Sequence, residues 1–480
     1  MESRTYQGNW WIENYPDEMF SGTLEYHPSE GAELRLLSDF PDAKRGPSRG
    51  SQRYSKIMGV NEDGEMITLI DCIRDSYSIS NGLPTSVYKA RYLVEGFAFQ
   101  AMNPALDRMY LSFYGLNKWA ALANPRPGDQ ALQAQSGAPD QISILVDMPD
   151  QISAWRNGIK LGLEVKTNMK LERFERGSLD IQHRFSINPR RPQMPLKKYI
   201  PHITKLNNFV SLGMGHSVDP SEITAKIRTY GGPPENVEIF YQVRREPTKD
   251  ISVHPSRMPF RPPEIADSFS RVLNYWYDRS EEIGDIYELY FATVHQDQMY
   301  VDNKILSLCH GLESYHRNRF SNTYMSKTDY DDLYDDIIDL LTRNPSDVYP
   351  QLSKSTDNLR DIHDIPSSFV QSLKDGTIKH ANSKSLRKRL NEITEAVEPI
   401  IEDLPYSILG DEKLTADTRN YFSHRTKALE KKAAHGPDRT KLVWGLQQLI
   451  EACLLIEIGI KPDLIQKRLE SRYENRWVSN

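Results

Sequence analysis

Residues 159–166 read Ile159-Lys160-Leu161-Gly162-Leu163-Glu164-Val165-Lys166, and their apolar–polar alternation decides the fold of the first half of the chain. Side chains two apart share one face of a strand. This pattern therefore describes an antiparallel sheet with one face buried and the other wet. Leu179, Ile181, His183, Phe185 and Ile187 repeat it, as do Val237, Ile239, Tyr241 and Val243. The runs 92–99 and 109–113 also read as strands. Pro125-Arg126-Pro127-Gly128 and Gly231-Gly232-Pro233-Pro234 supply turn punctuation between runs. Helices are predicted over 115–123 and 196–212. Residues 1–245 are thus expected to form an antiparallel β-rich, sandwich-like domain with helical insertions.

From Glu246 to Glu264 the chain is rich in Pro, Arg and Ser, with Pro247, Pro255, Pro259, Pro262 and Pro263, which predicts a linker. Beyond it the period changes. Val301, Ile305, Leu308, Leu312 and Tyr315 are spaced four, three, four and three residues apart. Leu386, Leu390, Ile393, Val397 and Ile400 form a similar stripe, as do Leu442, Leu446, Leu449, Cys453, Ile456 and Ile460. Each marks an amphipathic helix whose apolar side packs on a neighbour. Asp417 or Thr418 is placed to cap a further helix running to His435, stopped by Gly436-Pro437. The whole chain is expected to be α+β and multidomain, with an all-α bundle over 265–480.

The 480 residues suffice for roughly two to four domains of ~150 residues. With 38% hydrophobic and 26% charged residues, the composition is that of a globular protein and excludes a disordered chain. A net charge of −6 means that any nucleic-acid surface must be local. Cys72, Cys309 and Cys453 form no C-x-x-C pair, which argues against a disulfide framework and a cysteine zinc site. Met1-Glu2-Ser3-Arg4 leads into no apolar signal segment, and no stretch approaches the ~18 apolar residues of a membrane span. A cytoplasmic location without membrane attachment is the expectation.

The bundle region contains Arg419-Asn420-Tyr421-Phe422-Ser423-His424. Arg, then four to six residues, then His resembles the signature of the HEPN superfamily, whose helical bundles often act as RNases. The spacing alone is weak, since on the order of one or two chance matches are expected in a chain of this length. Arg176 and His183 are such a match, on adjacent predicted strands. Other features strengthen the second one. Asn420 follows the Arg, and the motif is read at the start of a penultimate major helix. Upstream, Leu308-Cys309-His310-Gly311-Leu312-Glu313 resembles the Leu-x-x-x-Leu-Glu signature of ApeA-like HEPN domains. Gly8-x-Trp10-Trp11 and Phe20-x-Gly22-Thr23-Leu24 resemble the opening of the N-terminal domain that accompanies this HEPN type in bacterial anti-phage proteins.

The resemblance implies a metal-independent endoribonuclease without a cofactor. Arg419 and His424 would be catalytic, with Asn420 and Glu313 supporting them. It also implies a homodimer whose cleft holds the site, RNA as substrate with tRNA foremost, and a phage-encoded trigger read by the N-terminal domain. The chemistry fits the residue types. The RNA 2′-hydroxyl must lose a proton and attack the adjacent phosphorus while the 5′-oxygen leaves. A His transfers protons at neutral pH, and a guanidinium grips phosphate and stabilises its growing charge. Residues five apart on a helix point about 140° apart, so one pair serves one phosphate poorly unless Arg419 reaches from a frayed turn or two copies meet. Arg425, Lys427, Lys431 and Lys432 form a basic patch suited to an RNA backbone, which Lys384, Arg387, Lys388 and Arg389 extend.

Plainer readings stand beside these. Arg419 and His424 can be a surface Arg and a structural His, and Asn420 a polar residue at a helix start. The run from Asp329 to Asp336 offers i,i+4 carboxylate pairs for Mg²⁺ but reads better as a solvated helix face. Gly213-Met214-Gly215-His216 lacks the Lys of a phosphate loop. Trp10 and Trp11 suit packing better than ligand stacking. Thr426 stands two residues after the motif His, where some HEPN toxins carry a modifiable Tyr, so control in cis is expected instead. The alternatives to an RNase are a non-catalytic HEPN scaffold binding RNA or protein, and a β-sandwich ligand-binding module that the bundle merely oligomerises.

Overall fold

The computed structural model describes residues 1–41, 52–80, 83–99, 105–123, 125–127, 144–172, 176–228, 232–243, 253–296, 298–342 and 366–474. Contacts divide the chain into two compact units, Met1–Arg279 with Leu454–Asn480, and Ser280–Cys453.

The first unit opens with six strands: β1 (Arg4–Ile12), β2 (Tyr15–His27), β3 (Gly31–Leu36), β4 (Arg53–Asn61), β5 (Met66–Ser80) and β6 (Leu83–Glu95). They pair in the order β6-β3-β2-β1-β4-β5, and β5 pairs back onto β6, so the sheet closes as a barrel. Closure removes the exposed edges of these strands. Inside lie Trp10, Leu24, Leu34, Leu36, Ile57, Leu69 and Leu93. The Gly/Trp motif of β1 is structural. A Cβ on Gly59 would collide with the Trp10 ring, and one on Gly8 with the Val60 carbonyl. The Trp10 indole Nε1 donates to the Gly22 carbonyl across 3.2 Å, and Trp10 is fully buried.

The edge of β6 opposite β5 is shared by two strands. Residues 86–90 pair with β3, and residues 92–95 pair with a strand much later in the chain. That second pairing starts a wing. Its strands are β8 (Arg108–Phe113), β11 (Ile152–Arg156), β12 (Ile159–Glu172), β13 (Arg176–Pro189), β15 (Pro220–Arg228) and β16 (Pro234–Tyr241). They run outward in the order β16-β15-β8-β13-β12-β11, all antiparallel. Short pieces β7 (Ala105–Leu106) and β14 (Met194–Pro195) pair with each other, as do β9 (Pro125–Pro127) and β10 (Ile144–Val146). The expected antiparallel β-rich region is present, closed as a barrel and continued as a wing.

Helices α1 (Leu116–Ala120) and α2 (Leu196–Met214) lie against this sheet, close to the predicted spans. His183 Nε2 accepts from the backbone N–H groups of Leu122 and Ala123, and Asn117 Oδ1 faces its other ring nitrogen at 3.1 Å. The chance match at His183 is therefore a structural histidine. Of the Pro-rich segment, 246–252 lies outside the described residues, as do Gly128 and Gly231 of the turn punctuation. Within 253–264, Met258 and Phe260 are fully buried, and the Trp119 indole donates to the Phe260 carbonyl across 2.7 Å.

The helical part comprises α3 (Phe269–Glu282), α4 (Gly284–Val294), α5 (Val301–Arg319), α6 (Lys327–Thr342), α7 (Ser367–Ser372), α8 (Leu386–Ile401), α9 (Glu412–His424), α10 (Lys427–Glu430), α11 (Pro437–Glu457) and α12 (Pro462–Tyr473). Helix α12 belongs to the first unit: Arg468 donates to the carbonyls of Pro255 and Ser256, and Arg472 to that of Gly215. Among the described residues of the second unit, the only β-pairing is an isolated bridge from Thr323 to Ser383. The heptad-like stripes form its core: Ile305, Leu308 and Leu312 of α5, Leu390 and Ile393 of α8, and Leu446 and Cys453 of α11 are each fully buried. Helices α5, α8 and α9 pack against one another, and α4 packs on α5. Ser385 starts α8 by accepting the Lys388 N–H on its hydroxyl.

Candidate active site

The motif helix α9 is anchored at its start. Glu412 is 8% exposed, and its Oε1 accepts from the Gly410 N–H at 3.2 Å and from the Thr394 hydroxyl at 3.0 Å. The sequence reading starts this helix at Asp417 or Thr418 and runs it to His435, and the structure corrects both ends. Thr418 lies inside the helix, its hydroxyl donating to the Leu414 carbonyl at 2.7 Å and accepting from the Ala434 N–H at 2.9 Å. The helix stops at His424 because Arg425 adopts a left-handed conformation, φ 51°, with its N–H on the Tyr421 carbonyl. Thr426 then caps the four-residue α10. Pro437 opens α11, so Gly436-Pro437 begins a helix instead of ending one. The Arg/His motif therefore occupies the end of its helix, not the beginning.

This placement sets the two side chains apart. Arg419 turns toward α5, where its Nη2 donates to Glu313 Oε2 at 3.3 Å and its Nη1 donates to Asn420 Oδ1 at 3.3 Å. The pair is half-buried, with 23% of the Arg419 side chain and 16% of the Glu313 side chain exposed. His424, five residues on, is exposed to solvent. Arg419, Glu313 and Asn420 are thus brought together, and His424 stands on a different side of the helix, as the 140° of rotation requires. Behind the pair, burial pushes the Cys309 thiol up to about 12, the Glu313 charge adding to the shift and the Arg419 charge opposing it. Cys309 is therefore packing and not a nucleophile.

The basic segment follows directly. Arg425 and Arg439 share Asp302, at 3.1 and 3.4 Å, and both guanidinium groups lie 5.1 Å from the Phe422 ring centroid. Lys427, Lys431 and Lys432 are exposed. The acidic face of α6 is likewise exposed. Among the described residues, no group of three or more His, Cys, Asp or Glu side chains is placed to hold a metal ion.

Two features escaped the sequence reading. Arg389 of α8, read there as extending the basic patch suited to an RNA backbone, is only 8% exposed, and its Nε is buried without a partner among the described residues. Its signal was its place on the α8 stripe, three residues after Leu386 and four before Ile393. The second is His316, fully buried, with its Nε2 2.7 Å from Glu392 Oε2. Lys384 Nζ donates to both oxygens of the same carboxylate at 2.8 Å.

Family models match both parts of the chain. Residues 5–276 match the family model described as ApeA N-terminal domain 1, and residues 306–464 match that described as Apea-like HEPN. Arg419, His424, Asn420 and Glu313 all fall inside the second match. No curated protein and no solved structure matches the chain. Among the described residues, no helix is long and apolar enough to cross a membrane. HEPN domains are generally RNases, and with an ApeA-type domain in front the match points to a nuclease of anti-phage defence. On these matches the chain belongs to the ApeA-like HEPN family.

Proposed function

We propose that the protein is a metal-independent endoribonuclease of bacterial anti-phage defence that cuts tRNA or other cellular RNA and so arrests the infected cell. It acts as a cytoplasmic homodimer, and its N-terminal region regulates cleavage in response to a phage-encoded trigger. The observation that carries this reading is the pinning of Arg419 by Glu313 and Asn420 while His424, five residues on, is exposed. A guanidinium held by two partners is preorganised for the charge that grows on a phosphate. An exposed imidazole is accessible for the proton transfers of 2′-hydroxyl attack and 5′-oxygen departure. Both chemical tasks are covered by side chains of this chain, with the RNA supplying its own nucleophile. Arg425, Lys427, Lys431 and Lys432 follow on the same segment and hold the strand electrostatically.

The test is expression of the wild-type chain against Arg419→Ala and His424→Ala, scoring growth and RNA integrity with and without EDTA. The expected result is RNA with 2′,3′-cyclic phosphate ends from the wild type, persisting in chelator, and intact RNA from both variants. Loss of cutting in EDTA rejects metal independence. Full activity in both variants rejects the assigned residues, and intact RNA from a triggered wild type that still arrests growth favours a non-catalytic scaffold.

A further inference from the structure

We propose that Arg389 is a second phosphate-binding cation of this site, taking a phosphate of the RNA strand beside Arg419, with Glu313 balancing both guanidinium groups until the strand arrives. The inference rests on the ribonucleolytic reading and extends it to a residue outside the Arg/His motif.

Arg389 lies on α8, which packs on both α5, carrying Glu313, and α9, carrying Arg419. It is more than nine-tenths buried, and a buried guanidinium is ordinarily paired. Yet its Nε has no hydrogen-bond partner among the described residues, and Arg419 Nε is in the same condition. Burial holds the Arg389 pKa below that of a free arginine; the Glu313 charge opposes this, while those of Arg317 and Arg419 add to it. The Arg389 and Arg419 guanidinium groups therefore act on the one carboxylate of Glu313, with Arg317 a further like charge on Arg389. Glu392, three residues on along α8, is instead hydrogen-bonded to Lys384 and His316. Against the arginine cations the cluster offers, among the described residues, the single Glu313 carboxylate. A phosphodiester supplies a further anion in the geometry that a guanidinium grips best, by paired N–H···O bonds.

A cation kept for a ligand weakens the fold that carries it, and this separates a binding role from a structural one. Replacing a poorly paired buried charge with an apolar side chain of similar length stabilises, whereas removing a structural ion destabilises. The experiment uses the full chain with His424→Ala, so that RNA survives, and a fluorescein-labelled mixed-sequence single-stranded RNA. Arg389→Met is expected to raise the melting temperature and to weaken RNA binding about tenfold or more. It should also flatten the dependence of log K on log salt by about 0.7. Arg389→Lys should keep the salt slope and lose severalfold in affinity, because the paired geometry is gone.

Unchanged affinity in Arg389→Met, or full affinity in Arg389→Lys, overturns the inference. So does a Met variant that melts lower or fails to fold. If the chain binds RNA in this pattern but the wild type never cuts it, the ribonuclease reading fails and the Arg389 inference stands. If the wild type cuts RNA and the Met variant binds it unimpaired, only the Arg389 inference falls.

Discussion

Arg419 Nη2 and Glu313 Oε2 meet at 3.3 Å although they lie 106 residues apart in the chain. The contact joins the middle of the motif helix to α5 and fixes the direction of the guanidinium. Glu313→Gln keeps the shape and removes the charge, leaving Arg419 and Arg389 without the carboxylate that acts on both. Cleavage is expected to fall at least about tenfold, chiefly in kcat, since a preorganised charge acts in the transition state. Stability is expected to fall by about 1–3 kcal/mol. Single-turnover cleavage with thermal denaturation checks both, and a folded Glu313→Gln chain with wild-type kcat removes the positioning role.

Thr418, immediately before Arg419, ties the basic segment to the helix. Its hydroxyl accepts the Ala434 N–H at 2.9 Å in a buried setting. Thr418→Val preserves volume and leaves that N–H without an acceptor, which costs about 1–3 kcal/mol. Limited trypsin digestion should then cut faster at Lys427, Lys431 and Lys432, and the melting temperature should drop. A Val variant as resistant as the wild type would show that the segment is held by other contacts.

The His316–Glu392 pair makes stability depend on pH. Burial pushes the His316 pKa down from its ordinary value, and the Glu392 hydrogen bond and charge only partly offset this. Its Nδ1 is buried without a partner among the described residues, so a second proton there would also lack an acceptor. With the folded-state pKa below the unfolded value of about 6.5, the unfolded chain binds the proton first as pH falls. Stability is therefore expected to decline from pH 7.5 to 5.5. Burial also tends to raise the Glu392 pKa, but hydrogen bonds and charges from Lys384 and His316 more than offset it. Its folded pKa is thus depressed, and its contribution is lost only below the carboxylate range, outside this window. His183 and His202 are also pushed down by burial, so the comparison is between wild type and His316→Gln. The Gln variant should show the shallower decline in melting temperature, and equal slopes would exclude His316 as a contributor.

Alternation and heptad spacing were legible because they are local. The strand 159–166 and the stripes of α5, α8 and α11 emerge where the spacing puts them, except that Val301 is exposed and Ile460 lies past the end of α11. Barrel closure was not legible, because it depends on β5 returning to β6 and on two strands sharing one edge of β6, pairings that no local period encodes. The end of α9 was misread for a similar reason. Lys427–Ala434 has good helix formers, but the Arg425 turn and the Ala434 N–H on Thr418 override propensity through tertiary contact. At the site, Glu313 and Asn420 were recognisable by motif. Arg389 was read with Lys384, Arg387 and Lys388 as one basic patch, and charge alone does not show that it is buried where Arg387 and Lys388 are exposed.

Cleavage as proposed requires one phosphate to meet both Arg419 and His424. Arg419 is tied toward α5 while His424, about 140° further around the helix, is exposed, so a single chain presents them on different sides. In a two-fold dimer the Arg of one protomer can serve the same phosphate as the His of its partner. Arg419→Ala and His424→Ala chains, each inactive alone, are then complementary. In a mixed dimer one of the two composite sites has both groups intact, and random pairing makes half the dimers mixed, so equimolar co-expression should restore about a quarter of wild-type cleavage. Each variant must remain dimeric by light scattering for the comparison to count. Activity that stays absent in verified mixed dimers would place both groups on one chain and require Arg419 to leave Glu313 when RNA binds. A monomeric wild type that cleaves at full rate would exclude the composite site.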